Sequence, residues 1–349
     1  MADQATAFAP GRVNLIGEHT DYNEGLALPF AISDGVTVRA SRTDDHRFQV
    51  IASDLGAHDT FALNGVSAAS GWRAFARGAV GELTAAGCEL VGTRLEIAGS
   101  VPRGSGLSSS AALEVALCLA LLAVADATPP DRLELARICS RVENDWVGAQ
   151  TGLLDQIASL YGQAHSAMRI DFRSLEVTPV ALELDGYRLV TLDSGERHAH
   201  AGSGDDAAAG YNQRRAECAR AAEMLGVSSL REATLDQVDE LPEPLRARAR
   251  HVVCENVRVE ETVQALSDGD LERVGELLNA SHVSLRDCFE VSTPSVERTV
   301  TTLLDAGAVG ARIMGGGFGG FVLGLLPPGA EPPEGAIEVE PGPGARILR

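Results

Sequence analysis

Apolar and polar residues alternate through 36–40 and again through 48–52, the two-residue period of half-buried strands. Residues 71–86 change to helical spacing, and 93–97 return to alternation. The pattern breaks at VPRGSGLSSS, after which AALEVALCLALLAVA has almost no polar face. A helix apolar all round is buried. It contains Glu114 and is followed by Pro129-Pro130, so the run over 111–127 reads as a core helix rather than a membrane span. Pro129-Pro130-Asp131 opens another helix, reaching about residue 147, with Asp131 or a neighbour as cap. Gly152 introduces a short apolar helical segment, LLDQIASLYG. Beyond Met168, MRIDF and YRLVTLDS read as strands, and HAHAGSGDDAAAG (198–210) as a mobile loop. Residues 211–282 are predicted helical with charge-rich faces, and ARIMGGGFGGFVLGLL is strand-like. The Pro/Gly/Glu-rich end leaves room for one strand at 336–339. No internal repeat is visible. The change of pattern puts a domain boundary within 165–185, dividing the chain into 1–175 and 176–349.

The Gly/Ser turn before the buried helix carries the first chemical signal. Gly104 and Gly106 let the backbone bend and approach a ligand, while Ser108, Ser109 and Ser110 sit where a helix begins. Unpaired N–H groups and the helix dipole make such a point a phosphate site; a flexible turn before a core helix is the plainer alternative. A Walker A motif is excluded, because the chain has no lysine and all 29 of its Lys+Arg are arginine. Phosphate charge must then be met by backbone N–H groups, the dipole, arginine or a metal ion.

Composition narrows the field. A chain of 349 residues with 45% hydrophobic content supports one large or two medium domains. A net charge of -20 argues against holding a nucleic-acid backbone or an anionic membrane by bulk charge. Six scattered cysteines with no CxxC spacing read as free thiols in a reducing compartment. The opening MADQATAFAPGRVN has neither a basic nor an apolar region of the signal-peptide kind.

Residues 9–29, APGRVNLIGEHTDYNEGLALP, set Arg12, Asn14, Glu18, His19, Asp21 and Tyr22 among Val13, Leu15 and Ile16. Buried polar groups need partners, and a polyol is a natural one. A surface turn, or a metal site from Glu18, His19 and Asp21, are the other readings.

Three motifs bear a family resemblance. GRVNLIGEHTDY resembles the galactokinase signature, and VPRGSGLSSSAALEVA resembles the phosphate-binding motif of the GHMP kinases. GARIMGGGFGGFVLGL (310–325) is similar to their third, glycine-rich motif. They occur in family order, with ENDWVGAQTGLLDQIASLYG, MRIDFRSLE and GYNQRRAEC also matching, so the likeness covers about residues 7–326.

The resemblance implies an α+β, two-domain GHMP kinase fold. Its N-terminal domain would be like ribosomal S5 domain 2, its C-terminal domain ferredoxin-like, and the active site would lie in the cleft between them. The implied reaction is ATP-dependent phosphorylation of galactose at O1. Alternatives are another sugar 1-kinase, acting on arabinose, a uronic acid or N-acetylgalactosamine, and a non-catalytic sugar and ATP sensor. Carried over by motif, Arg12 and Asp155 face the anomeric hydroxyl. Glu18, His19, Asp21, Gly152 and Tyr211 line the sugar. Gly104, Ser105, Gly106, Leu107, Ser108, Ser109, Ser110 and Ala111 hold the ATP phosphates. Ser109 and Glu143 bind Mg2+, and the glycines from Gly315 to Gly320 pass close to substrate. The implied partners are a small sugar and ATP, with no nucleic acid or membrane, for a cytoplasmic monomer or weak homo-oligomer. Two features depart from the family: Arg103 at the phosphate loop, and a short end after the third motif.

Overall fold

The computed structural model describes residues 3–63, 65–100, 107–149, 151–196 and 206–348. Strand β1 (Gln4–Asn14) leads through the two-residue β2 (Leu26–Ala27) into the long β3 (Pro29–Arg42). Next come β4 (Arg47–Ala52), β5 (Ala57–Ala62), helix α1 (Trp72–Ala85) and β6 (Thr93–Gly99). Every second residue of β4, Phe48, Val50 and Ala52, is buried, which is what alternation predicts for one covered face. Helices α2 (Ser109–Ala125), α3 (Arg132–Arg141) and α4 (Leu154–Tyr161) cover that face with α1. Eleven of the seventeen α2 residues are buried, as its all-round apolar sequence requires. Asp131 caps α3 by accepting the Glu134 N–H at 2.8 Å. α3 stops at Arg141, earlier than the spacing suggests, and widens into a π-helical turn, Val142–Val147. Such turns are frequent at functional sites, and this one carries Glu143.

The hairpin of β7 (Ser166–Asp171) and β8 (Glu176–Ala181) forms a small sheet with β2. Then follow β9 (Arg188–Asp193), α5 (Asp206–Leu225), the single turn α6 (Leu235–Val238), α7 (Leu245–Asp268), α8 (Leu271–Asp287) and α9 (Pro294–Asp305). Strands β10 (Gly310–Ile313), β11 (Phe321–Leu326) and β12 (Ile337–Glu338) complete a sheet ordered β10-β11-β9-β12. The last strand, β13 (Arg346–Ile347), returns to the first sheet, ordered β13-β1-β3-β6-β4-β5. All neighbours in that sheet are antiparallel except β4 and β6.

One apolar cluster joins the two halves. It takes Val13, Leu15, Ile16 and Phe30 from the first half and Leu277, Leu278, Met314 and Leu323 from the second. The sheets and helices are those of an α+β fold. Two expectations need correction. Residues 206–210, expected in a loop, are the first turns of α5. Strands β8 and β13 add to the elements that the sequence pattern predicts. The division after 175 cuts the β7–β8 hairpin, and β13 belongs with the first sheet, so the chain does not split cleanly there. Residues 101–106, including Arg103, Gly104, Ser105 and Gly106, lie outside the described residues, as do 198–205 of the expected loop.

Candidate active site

Three segments distant in sequence meet at one carboxylate. The register of β1 against β3 shifts between Pro10 and Arg12, a bulge that re-aims the Arg12 side chain. The Arg12 amide donates to the Leu107 carbonyl at 3.1 Å, tying β1 to the loop ahead of α2. Arg12 Nε and Nη2 both reach Asp155 Oδ1 at 2.8 Å. On the other oxygen, Ser108 Oγ donates to Oδ2 at 2.5 Å. Asp155 lies in the first turn of α4, where the helix dipole favours its charge. Arg12 is buried (7% side-chain exposure), but Asp155 keeps 27%. The pair therefore presents one open carboxylate edge, with a guanidinium fixed behind it.

Beside it lies a second carboxylate. Glu143 Oε1 accepts from Ser110 Oγ at 2.8 Å, and Oε2 accepts from Thr151 Oγ1 and Gln156 Nε2, each at 2.9 Å. Burial raises its pKa, and the Asp155 charge adds to the shift against the three hydrogen bonds. A cation here would relieve that cost. The donors are hard oxygens, as magnesium prefers, and magnesium is commonly held by one or two carboxylates plus substrate phosphate and water. Among the described residues no group of three or more His, Cys, Asp or Glu is placed to hold a metal ion. Of the serines that open α2, the hydroxyl that bonds Glu143 is that of Ser110. Ser109 is the first helical residue, and one step along a helix turns the side chain by about 100°.

The residues expected at the sugar divide into two groups. Asp21 and Tyr211 are partly accessible, whereas Glu18 and His19 are each only 4% exposed. A Cβ on Gly152 would collide with the Asp21 carboxylate, so glycine is what lets that segment pass. Burial raises the Asp21 pKa to about 6; Asp155 and Glu18 push the same way, against the Tyr22 amide and Arg215. Tyr211 on α5 faces the His19 ring at 5.4 Å and the Tyr22 ring at 5.9 Å. The His19 imidazole also packs on Phe289 at 4.6 Å, and its Nδ1 bonds the Tyr22 hydroxyl at 2.8 Å. Burial, with the positive charges around it, lowers its pKa to about 3, so this imidazole is neutral.

Glu18 is committed on one side. Its Oε1 accepts the Gly315 amide at 2.8 Å and pairs with Arg312 Nη2 at 3.1 Å. Arg312 is fully buried, and its Nη1 donates to the carbonyls of Asn14 and Leu15 at 2.8 and 3.0 Å. The network continues behind the loop. Glu255 accepts the Gly17 amide at 3.1 Å, Ser281 Oγ at 2.6 Å and Arg258 Nε at 2.7 Å, while His251 Nε2 bonds the Glu18 carbonyl at 3.1 Å. Burial alone would raise the Glu255 pKa; Arg258, His251 and Arg312 overrule it and hold it at about 2. Sequence reading singled out none of Arg312, Glu255 or His251. The available signal was an arginine inside the apolar GARIMG, where an unpaired guanidinium would be untenable.

Each of the three motifs also holds one non-glycine residue in the left-handed region: His19 at φ 60°, Ser108 at φ 58° and Phe318 at φ 64°.

Three family models match along the chain. The galactokinase galactose-binding signature matches residues 2–42, the GHMP kinase N-terminal domain 74–163 and the GHMP kinase C-terminal domain 262–338. A galactokinase from Mycobacterium tuberculosis is 44% identical over 328 residues, covering 91% of this chain and 88% of the relative. One from Actinobacillus succinogenes is 40% identical, over 92% and 84%. Among solved structures, Lactococcus lactis galactokinase complexed with galactose aligns with a TM-score of 0.90 at 33% identity, covering 99% and 95%. Methanococcus jannaschii mevalonate kinase aligns at 0.70 with 17% identity, a likeness of fold alone. With relatives matched along nearly its whole length, the chain belongs to the galactokinase family of the GHMP kinases.

Proposed function

We propose that the protein transfers the γ-phosphoryl group of ATP to the anomeric hydroxyl of D-galactose, giving galactose 1-phosphate and ADP. The carrying observation is the convergence of Arg12, Ser108 and Asp155. In this reading the open edge of Asp155 orients the sugar hydroxyl and takes its proton, and Arg12 offsets negative charge as the oxygen attacks. No covalent enzyme intermediate is needed, because positioning and charge stabilisation suffice for in-line transfer. The start of α2 receives the phosphates. Ser110 and Glu143 would hold the magnesium ion, whose chemistry when bound is to neutralise phosphate charge. The test is ADP release with ATP and magnesium over galactose, glucose, arabinose and galacturonate. Strong turnover of galactose is expected; turnover of another sugar with none of galactose overturns the substrate.

Two further outcomes follow from this reading. Glu143→Ala and Ser110→Ala should each raise the magnesium concentration needed for half-maximal rate, because a lysine-free phosphate site relies on the metal for counter-charge. Ser109→Ala should change it less. Unchanged magnesium titrations for Glu143→Ala and Ser110→Ala would remove the assignment.

Asp21 should set sugar affinity. Its raised pKa makes the carboxyl neutral below about pH 6 and a charged acceptor above it. The galactose KM should therefore fall as pH rises through about 6. Asp21→Asn should flatten that dependence, and Asp21→Ala should lose galactose turnover far more than ATP affinity, since a site built to bond a hydroxyl discriminates against its loss. Galacturonate should be a poor substrate beside Glu18 and Asp21; its efficient phosphorylation would point instead to Arg215 as a carboxylate partner.

No helix among the described residues is long and apolar enough to cross a membrane, and all six cysteines are free thiols. Action in the cytoplasm, as a monomer or weak homo-oligomer, is part of the same proposal.

A further inference from the structure

Behind Glu143 sits a third carboxyl group that the reaction as described does not use. Glu114 on α2 is fully buried in a helix whose other buried residues are apolar. Its Oε2 accepts from Gln156 Nε2 at 3.2 Å, and the same nitrogen donates to Glu143 Oε2 at 2.9 Å. Glu114 Oε1 and Gln156 Oε1 are buried with no hydrogen-bond partner among the described residues. Turning the amide over would put its oxygen between two carboxyl groups, so the orientation stands.

An ionised Glu114 would leave a charged oxygen unpaired in an apolar interior, and Gln156 would keep an orphan acceptor beside it. Each is costly. No cation pairs with Glu114 among the described residues, while Glu143 and Asp155 lie close enough to oppose a further negative charge. One proton resolves the whole set. Placed on Glu114 Oε1, it supplies the donor that Gln156 Oε1 lacks, and Gln156 Nε2 already supplies the donor for Glu114 Oε2.

We propose that Glu114 is a positioning residue, held as a neutral carboxylic acid in a cyclic pair with the Gln156 amide, and that this pair aims the remaining Gln156 N–H at Glu143 and so fixes the carboxylate facing Ser110. The inference rests on the reading of Ser110 and Glu143 as the cation site. Burial, with the Glu143 charge beside it, also raises the Glu114 pKa well above its ordinary value. Outer partners that orient a metal ligand commonly matter by about 10- to 100-fold in metal affinity.

Two variants of the full chain test it, with circular dichroism and thermal melting as checks of folding. Glu114→Gln keeps a donor and an acceptor but cannot ionise, and should keep kcat and the magnesium half-saturation within about threefold of the parent. Glu114→Leu releases Gln156, and should raise the magnesium half-saturation about tenfold or more while the galactose KM stays unchanged. The infrared difference between the parent and Glu114→Gln at neutral pH should contain a carboxylic-acid carbonyl band, a readout independent of turnover. Absence of that band, or a Glu114→Gln enzyme as impaired as Glu114→Leu, shows that Glu114 works as a charged group and overturns the proposal. A folded Glu114→Leu enzyme with a normal magnesium titration, beside a Glu143→Ala enzyme with a shifted one, overturns the positioning role alone. A normal titration for Glu143→Ala overturns the cation reading beneath it.

Discussion

Asp155→Asn should fold normally and lose about 10²- to 10⁴-fold in turnover, the range typical of a lost general base. The exchange is nearly isosteric, and Ser108 can still bond one side-chain atom, so the local frame survives. What disappears is the charge paired with Arg12 and the lone pairs on the open edge of the carboxylate. An amide aimed by chance with its NH2 toward the guanidinium would also repel it, so a modest fall in melting temperature should accompany the rate loss. The measurement is single-turnover phosphorylation at saturating ATP and galactose, with equilibrium ATP binding alongside. Because the lesion lies at the hydroxyl, ATP affinity should change little. Turnover close to that of the parent would show that another group assists the hydroxyl.

Arg312→Met should be the most destabilising single change in the glycine-rich motif, by about 3–5 kcal/mol. The methionine fills much of the arginine volume, so cavity formation is a minor part of the loss. The larger part is Glu18, left charged and only 4% exposed, with its principal cation gone. The carbonyls of Asn14 and Leu15 also lose their donor. Urea denaturation reads the change directly. Adding Glu18→Gln to Arg312→Met should recover part of the stability, because no orphan charge then remains, although it should not recover sugar affinity. Equal stability of the parent and the Arg312→Met variant would mean that Glu18 is neutral or finds another cation.

Local pattern carried the fold a long way, and the reasons for its failures are specific. The strands β3, β4 and β6 and the helices α1 and α2 were legible because one face of each, or all of α2, meets a single core. Strand β8 escaped because its residues are mostly half-buried or exposed and it contains Pro179. Strand β13 escaped because two residues carry no period at all, and only the pairing of Ala7 with Ile347 and Phe8 with Arg346 defines them. At the site, the motifs named the right segments, but three consecutive serines gave no way to tell which hydroxyl faces Glu143. That depends on where the first turn of α2 begins. Arg312 and Glu255 act across more than two hundred residues of chain, through contacts that no local rule contains.

The left-handed residues His19, Ser108 and Phe318 have a consequence for how such an enzyme can change under selection. A non-glycine side chain in that region costs about 1–2 kcal/mol, against a whole-protein stability of about 5–15 kcal/mol. That strain is not one that glycine can simply release. His19 packs on Phe289 and bonds the Tyr22 hydroxyl, Ser108 bonds Asp155, and Phe318 lies under Arg214, so trimming any of them removes contacts worth at least as much as the strain relieved. A lineage pressed toward hotter surroundings therefore finds no easy gain inside the motifs. Its endurance must come from elsewhere, in the exposed helical faces of the second half.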